Sequence, residues 1–182
     1  RDWALSRNRY WGTPLPLWIN DKTGEKRFIG SFAEIEELSG IKIEDPHKPF
    51  VDEITWEDKT NGGIFRRVPD VIDVWYDSGS MPFAQYHYPF ENKELFEAKF
   101  PAEYVAEMYE QARLWFYTLL VVNTALFGKV PYKNVVAHGV MLAKDGKKLS
   151  KSKRNFPPMD EVLDTFGGDI LRYFILTSPI VV

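Results

Sequence analysis

Cysteine is absent from this chain. Its absence excludes a disulfide framework and any thiolate zinc site, and a reducing cytoplasm fits by default. There is no apolar run of membrane-spanning length and no visible signal peptide, so no membrane association is expected. An excess of positive charge is missing too. The 23 Lys and Arg against 26 Asp and Glu leave a formal net charge of −3, which argues against the basic surface that broad nucleic-acid binding needs. Internal repeats and low-complexity tracts are likewise absent. What remains is globular in composition: 182 residues, 45% hydrophobic and 15% aromatic. That is enough for one domain with a sizeable core and a small appended unit. The chain opens Arg1-Asp2-Trp3 without an initiator Met, as expected of a piece cut from a longer protein.

The pattern of strands alternating with helices predicts an α/β sheet. Two prolines, Pro14 and Pro16, favour an extended path, so residues 15–19 read as a strand. Residues 20–68 are polar and punctuated by turns, and read as a small α+β insertion. Within it Ser31 is placed to N-cap a helix over 31–38, with Glu34 completing a capping box and Gly40 just past the end. Strands are expected at 50–56, 64–68 and 71–75. A helix is expected to begin near Met81-Pro82, capped by Asp77-Ser78-Gly79-Ser80. Further on, strands are predicted at 104–106, 134–138 and 140–142. A helix over 109–127 carries Trp115, Leu119, Val122 and Leu126 at helical spacing and stops at Gly128. Two helices, 159–166 and 170–177, close the chain.

The richest chemistry lies in Lys147-Lys148-Leu149-Ser150-Lys151-Ser152-Lys153, directly behind Asp145-Gly146. Asp-Gly favours a tight turn with positive φ, so the cations are expected on a loop leaving a hairpin. Ammonium groups act as point charges for phosphate, and seryl hydroxyls add short hydrogen bonds. A solvated basic loop is the plain alternative. Glu107, Gln111 and Trp115 form a second candidate group. Glu107 falls where a strand ends and Gln111 in the first turn of the next helix, the edge at which open α/β sheets bind ligands. A carboxylate there can hold an ammonium or a ribose hydroxyl, and a glutamine both donates and accepts. Packing alone would also account for Trp115. His138, alone in an apolar strand, reads as a hydrogen-bonded packed residue.

These segments carry a family resemblance. Lys148-Leu149-Ser150-Lys151-Ser152 resembles the KMSKS signature of class I aminoacyl-tRNA synthetases, with Leu for Met. Glu107, Gln111-Ala112-Arg113 and Trp115-Phe116 look like the E-G-x-D-Q-x-R-G-W-F segment of the isoleucyl-tRNA synthetase family. The run from Arg7-Asn8-Arg9 through Tyr10-Trp11-Gly12-Thr13-Pro14 is similar to its S-R-x-R-Y-W-G-T-P opening. Asp73 to Pro82, with Trp75 and Asp77-Ser78-Gly79-Ser80, is similar to its D-x-W-F-[DE]-S-G-S segment. His138-Gly139 and Gly168-Asp169-Ile170-Leu171-Arg172 resemble two further elements in family order. The sequence departs from the pattern at Met108, where Gly is usual, at Glu110 (Asp) and at Leu114 (Gly).

The resemblance implies a fold: the second half of a Rossmann-like class I catalytic domain over residues 1–152, with the insertion at about 20–68, and the start of a helical stem over 153–182. It implies activation of isoleucine by ATP to isoleucyl-adenylate and transfer to tRNA(Ile), with Mg2+ accompanying the nucleotide and no dedicated protein metal site. Lys148 and Lys151 are the implied catalytic cations. His138, Gly139, Lys148, Ser150, Lys151 and Ser152 are implied to bind ATP. Glu107, Glu110 and Gln111 are implied to hold the aminoacyl-adenylate, with Trp11 and Trp115 walling the isoleucine side chain. The family's H-I-G-H signature belongs to the first half and does not occur here, so residues 1–182 alone are expected to be inactive. Alternatives from other classes are a noncatalytic synthetase-derived binding module and another adenylyl-transferring ligase of related fold.

Overall fold

The computed structural model describes residues 2–178; Arg1 and the last four residues of the expected stem lie outside them. The chain divides into two compact units, Arg1–Ser80 and Met81–Val182, and each is described by itself. Strands and helices are both present, in the mixed α/β class that the sequence predicts.

In the first unit a four-stranded antiparallel sheet runs in the order β3-β2-β5-β4, built from β2 (Leu17–Asn20), β3 (Lys26–Phe28), β4 (Thr55–Glu57) and β5 (Ile64–Arg67). A separate antiparallel pair joins β1 (Ser6–Arg7) to β6 (Val71–Ile72). The predicted capped helix is present as α1 (Phe32–Ser39). The Ser31 hydroxyl accepts from the Glu34 N–H at 3.2 Å, and the Glu34 carboxylate accepts from the Gly30 N–H at 2.9 Å. The carboxylate thus reaches one residue further back than a standard capping box. Gly40 ends the helix in the left-handed conformation, φ 73°. Trp18, Ile29, Ile35, Val51, Ile54, Trp56 and Phe65 form the core of this unit, and the Trp18 indole donates to the Ile54 carbonyl at 2.9 Å.

Three local expectations change here. Residues 50–56 are not one strand: Phe50–Glu53 is a 3-10 turn, and only Thr55–Glu57 is extended. The 71–75 strand stops at Ile72, and α2 (Val74–Ala84) begins well before Met81. The cause is Asp73, 3% exposed. Its carbonyl accepts from the Tyr76 N–H at 2.8 Å, while its carboxylate accepts from the Trp3 indole at 2.7 Å and the Arg7 guanidinium at 2.8 Å. Pro82 therefore sits late in the helix instead of in its first turn.

In the second unit β7 (Ala102–Met108) and β8 (Tyr132–His138) pair in parallel, with Glu107 opposite Ala137 and Met108 opposite His138. The crossover between them contains α4 (Trp115–Phe127), whose Phe116 and Leu119 pack on Val105. The expected helix over 109–127 is broken. Tyr109–Arg113 is a 3-10 turn, Leu114 leaves helical geometry at φ −123° and ψ −105°, and a new helix starts at Trp115. The Gln111 side-chain oxygen accepts the Trp115 N–H at 3.1 Å, supplying the cap for that restart. Gly128 ends α4 at φ 63°, while Leu126 of the predicted stripe is exposed. Phe127 meets the rings of Phe83, Tyr88, Phe96 and Phe100 at 5.2–5.9 Å, joining α4 to α3 (Lys93–Lys99). Residues 140–142 form no strand; only Leu142 bridges to Lys148. The two closing helices are α5 (Met159–Phe166) and α6 (Gly168–Leu176).

Arg67 holds the first unit together at one point. Its side chain is fully buried, pairs with the Asp52 carboxylate, and donates to the carbonyls of Leu15 at 3.1 Å and Asp70 at 2.9 Å. Removing it leaves the Leu15 and Asp70 carbonyls only their backbone donors, the N–H groups of Leu17 and Leu15, and takes the guanidinium from a carboxylate that is itself about one-third exposed. Arg67→Ala is expected to cost about 3 kcal/mol in urea unfolding, with Asp52→Asn costing less because water can reach that partner.

Candidate functional site

The carboxyl ends of the parallel pair β7–β8 gather most of the predicted site. Glu107, next to last in β7, is half-buried, and its Oε2 accepts from the Met108 N–H at 3.2 Å. Met108 has ordinary extended backbone, φ −63° and ψ 152°, so a side chain is admitted where the family resemblance calls for glycine. On the neighbouring strand end, His138 Nδ1 lies 2.7 Å from the Gly139 carbonyl oxygen. That oxygen can only accept, so Nδ1 carries the proton and Nε2 is left available. The imidazole is therefore held against its own backbone.

Gln111 lies in the 3-10 turn and not in the first turn of a helix. Its oxygen accepts one bond from the start of α4, so the amide N–H groups and the oxygen's second lone pair remain for a ligand. Trp115 is half-buried beside Phe116, with ring centroids 6.0 Å apart.

The lysine loop begins as a hairpin. Gly146 takes φ 73°, its N–H donates to the Ala143 carbonyl at 2.8 Å, and the Ala143 N–H donates to the Lys147 carbonyl at 2.8 Å. The Asp145-Gly146 turn is thus formed as predicted. Lys148 Nζ reaches both carboxylate oxygens of Glu110 at 3.1 Å. Sequence reasoning assigned these two residues to different ligands; the structure joins them. Ser150 and Ser152 share a hydrogen bond at 2.8 Å. Lys151 is exposed, and among the described residues no carboxylate pairs with it.

Asn155 was not singled out from sequence, yet it staples this loop. Its Oδ1 accepts the Ser150 N–H at 2.8 Å, and its Nδ2 donates to the Lys148 carbonyl at 3.2 Å. The only local signal was an amide-bearing turn residue ahead of Phe156-Pro157-Pro158. Arg154 beside it has φ 48°, a left-handed conformation unusual for a long side chain.

Trp11 belongs to the first unit and Trp115 to the second. Trp11 lines a cavity of about 510 Å³ together with Arg9, His47 and Asp77. The indole is 68% exposed and stacks on His47, with centroids 5.2 Å apart and planes 6° from parallel. The His47 backbone N–H and ring hold the nearby Asp45 carboxyl below its usual value. Burial pushes the Asp77 carboxyl up, an effect opposed by the Thr13 hydroxyl that donates to it at 3.1 Å and reinforced by the Asp73 charge. Asp77, read from sequence as a helix cap, is instead a cavity wall within α2.

Two measurements check this geometry. Asn155→Ala removes two hydrogen bonds of about 1 kcal/mol each, so amide exchange at Ser150 should accelerate roughly tenfold or more while β7 and β8 are unaffected. A carboxyl raised above its ordinary 3.8 binds its proton more readily folded than unfolded, so its contribution is favourable below 3.8 and lost as pH rises through the folded value. Asp77→Asn should therefore raise the thermal midpoint at pH 7, with the gain vanishing on acidification below pH 3.8.

Comparison with known proteins places the chain. Isoleucine–tRNA ligase, cytoplasmic, of Mus musculus is 53% identical over 181 residues, covering 100% of this chain and 14% of that protein. Isoleucine–tRNA ligase of Treponema denticola is 52% identical over 181 residues, again 100% of this chain and 16% of the relative. The chain thus spans about one-seventh to one-sixth of the length of these curated relatives. Among solved structures, a leucyl-tRNA synthetase of Agrobacterium radiobacter K84, crystallised in a ternary complex with tRNA and LeuAMS, superposes with a TM-score of 0.70 at 24% identity, over 97% of this chain and 24% of that one. That likeness shows the fold. A sequence model of the tRNA synthetases class I (I, L, M and V) matches residues 1–182, so another type of adenylyl-transferring ligase is set aside: this chain belongs to the class I tRNA synthetases.

Proposed function

We propose that this chain is the lysine-loop part of the catalytic domain of an isoleucine–tRNA ligase. In the whole enzyme the isoleucine carboxylate attacks the α-phosphorus of ATP, forming isoleucyl-adenylate and releasing pyrophosphate, and the aminoacyl group then passes to tRNA(Ile). The observation that carries this reading is the gathering of Glu107, His138-Gly139 and the Lys148 loop at the carboxyl edge of the β7–β8 pair, where open α/β sheets bind nucleotides. The names of the relatives support isoleucine as the amino acid.

No side chain has to attack covalently, so these residues act by positioning and by stabilising charge. Glu107 and the Gln111 amide hold the aminoacyl and ribose portions. Lys148 and Lys151 neutralise the departing pyrophosphate, with the Ser150 and Ser152 hydroxyls in support. Glu110 occupies Lys148 before nucleotide arrives. An exposed pair of this kind, 59% and 42% accessible, is worth about 0–1 kcal/mol, which a polyphosphate displaces readily. Trp11, in the first unit, walls the isoleucine side chain as a flat, rigid ring. Mg2+ enters with the nucleotide as part of the substrate. Among the described residues no three His, Cys, Asp or Glu side chains stand together as a metal site. Two relatives carry "cytoplasmic" in their names, and no described helix is long and apolar enough to cross a membrane; we place the ligase in the cytoplasm.

Lys151→Ala in the full-length ligase is the decisive substitution. Isoleucine-dependent ATP–pyrophosphate exchange is expected to fall about 10²-fold or more, the scale of one preorganised charge contact, with isoleucine binding in the absence of ATP little altered. Unchanged exchange would remove Lys151 from the chemistry. A full-length protein with no exchange activity at all would favour a noncatalytic binding module.

A further inference from the structure

We infer that the inserted segment, through His47 and Lys48, sets the orientation of the Trp11 ring and so governs how tightly the amino-acid slot holds its ligand. The inference rests on the reading of Trp11 as a wall of that slot and adds positioning residues to it.

An indole that is 68% exposed has little packing to fix its rotamer, and a wall that rotates cannot define a slot. Trp11 gains its orientation from the near-parallel face of His47, 5.2 Å away, a separation within the range of offset ring pairs. His47 is itself held on both sides. Its N–H donates to Asp45 Oδ1 at 2.9 Å and its ring Nδ1 lies 2.7 Å from the same oxygen. Its carbonyl accepts the N–H of Val51 at 3.1 Å, and Val51 lies in the buried core of the first unit. His47 is therefore held by two hydrogen bonds to Asp45 and by one, from Val51, to the insertion's own core.

The next residue repeats the grip. Lys48 Nζ donates to the Pro69 carbonyl and, at 3.5 Å, to the Arg9 carbonyl, and it stands 6.0 Å from the centre of the Tyr10 ring. On the other side of Trp11 the chain is clamped by Gly12. Its φ of 152° is one that side chains rarely adopt, and a Cβ there would meet Val71 at 3.1 Å. Tyr10-Trp11 is thus pinned by the insertion before the ring and by β6 after it. His47 also lines the cavity that Trp11 lines, so the brace and the wall face one space.

The test measures isoleucine-dependent ATP–pyrophosphate exchange in the full-length ligase for His47→Ala, His47→Phe, Trp11→Ala and the double variant His47→Ala/Trp11→Ala. His47→Ala is expected to raise KM for isoleucine about fivefold while kcat and KM for ATP stay within about twofold, the loss of one ring contact. His47→Phe, which keeps a flat face, should restore KM, and the double variant should be no worse than Trp11→Ala alone. If Trp11→Ala raises KM for isoleucine but His47→Ala does not, the brace is overturned and the slot stands. If Trp11→Ala leaves KM unchanged, the slot reading fails and this inference fails with it. Should His47→Ala not yield folded protein, His47→Phe is compared with His47→Leu, which keeps bulk without a plane; equal KM values overturn the inference.

Discussion

The parallel register of Ala102–Met108 against Tyr132–His138 is the constraint on which the second unit depends. Parallel neighbours require a crossover, and here that crossover includes the 3-10 turn, the restart at Trp115 and α4. Because Phe116 and Leu119 bury against Val105, the helix is fixed to the strand it follows. The strand ends then bring Met108 opposite His138. A slip of one residue would turn every side chain of the shifted strand to the opposite face and separate Glu107 from the His138-Gly139 turn. The site is thus a consequence of pairing, and its loops inherit their positions from it.

Charge is distributed unevenly over the lysine loop. Lys148 is met by Glu110 and Lys147 by Asp145, at 3.1 and 3.5 Å, while Lys151 points its charge at solvent. The backbone between them is held by Asn155 through neutral hydrogen bonds, which survive whether or not the lysines are engaged. This separation matters physically. A loop whose shape depended on its ion pairs would lose that shape when a phosphate took the cations, whereas one held by an amide keeps its two ends in place as the ammonium groups exchange partners.

Much of this was legible in the sequence because it is local. Ser31, Glu34 and Gly40 specify α1 within a few residues, and Asp145-Gly146 specifies a hairpin turn by backbone preference alone. Strands near Glu107 and His138 were also legible, although their parallel pairing was not. The misreadings share a different physics. The start of α2 is set by Asp73, whose carboxylate is held by Trp3 and Arg7 some seventy residues away, so the local Ser-Gly-Ser-Met-Pro signal lost to a distant one. The break at Leu114 depends on whether a glutamine side chain turns back to cap a helix or faces outward, and periodicity is silent on that choice. Phe50–Glu53 has strand-like composition but carries a turn that the carbonyl of His47 closes. Glu110 and Lys148 were each singled out from sequence; their pairing was not, because nothing in sequence spacing states that 38 residues of chain bring them together.

The insertion shows why polar, turn-rich stretches should not be dismissed as decoration. Its sheet encloses Trp18, Trp56 and Phe65 and is locked by the buried Arg67, whose bonds to Leu15 and Asp70 tie the segment's end to the residues on either side of it. A support needs to be stiffer than what it supports, since a ring stacked on a mobile partner gains no direction from it. Here the stiffness comes from burial and from a guanidinium whose four hydrogen bonds all lie inside the unit, and an exposed indole stacks on an imidazole of that same unit. Residues far apart in the segment thus act together: its core fixes Val51, Val51 holds the His47 carbonyl, and the His47 ring lies flat against Trp11.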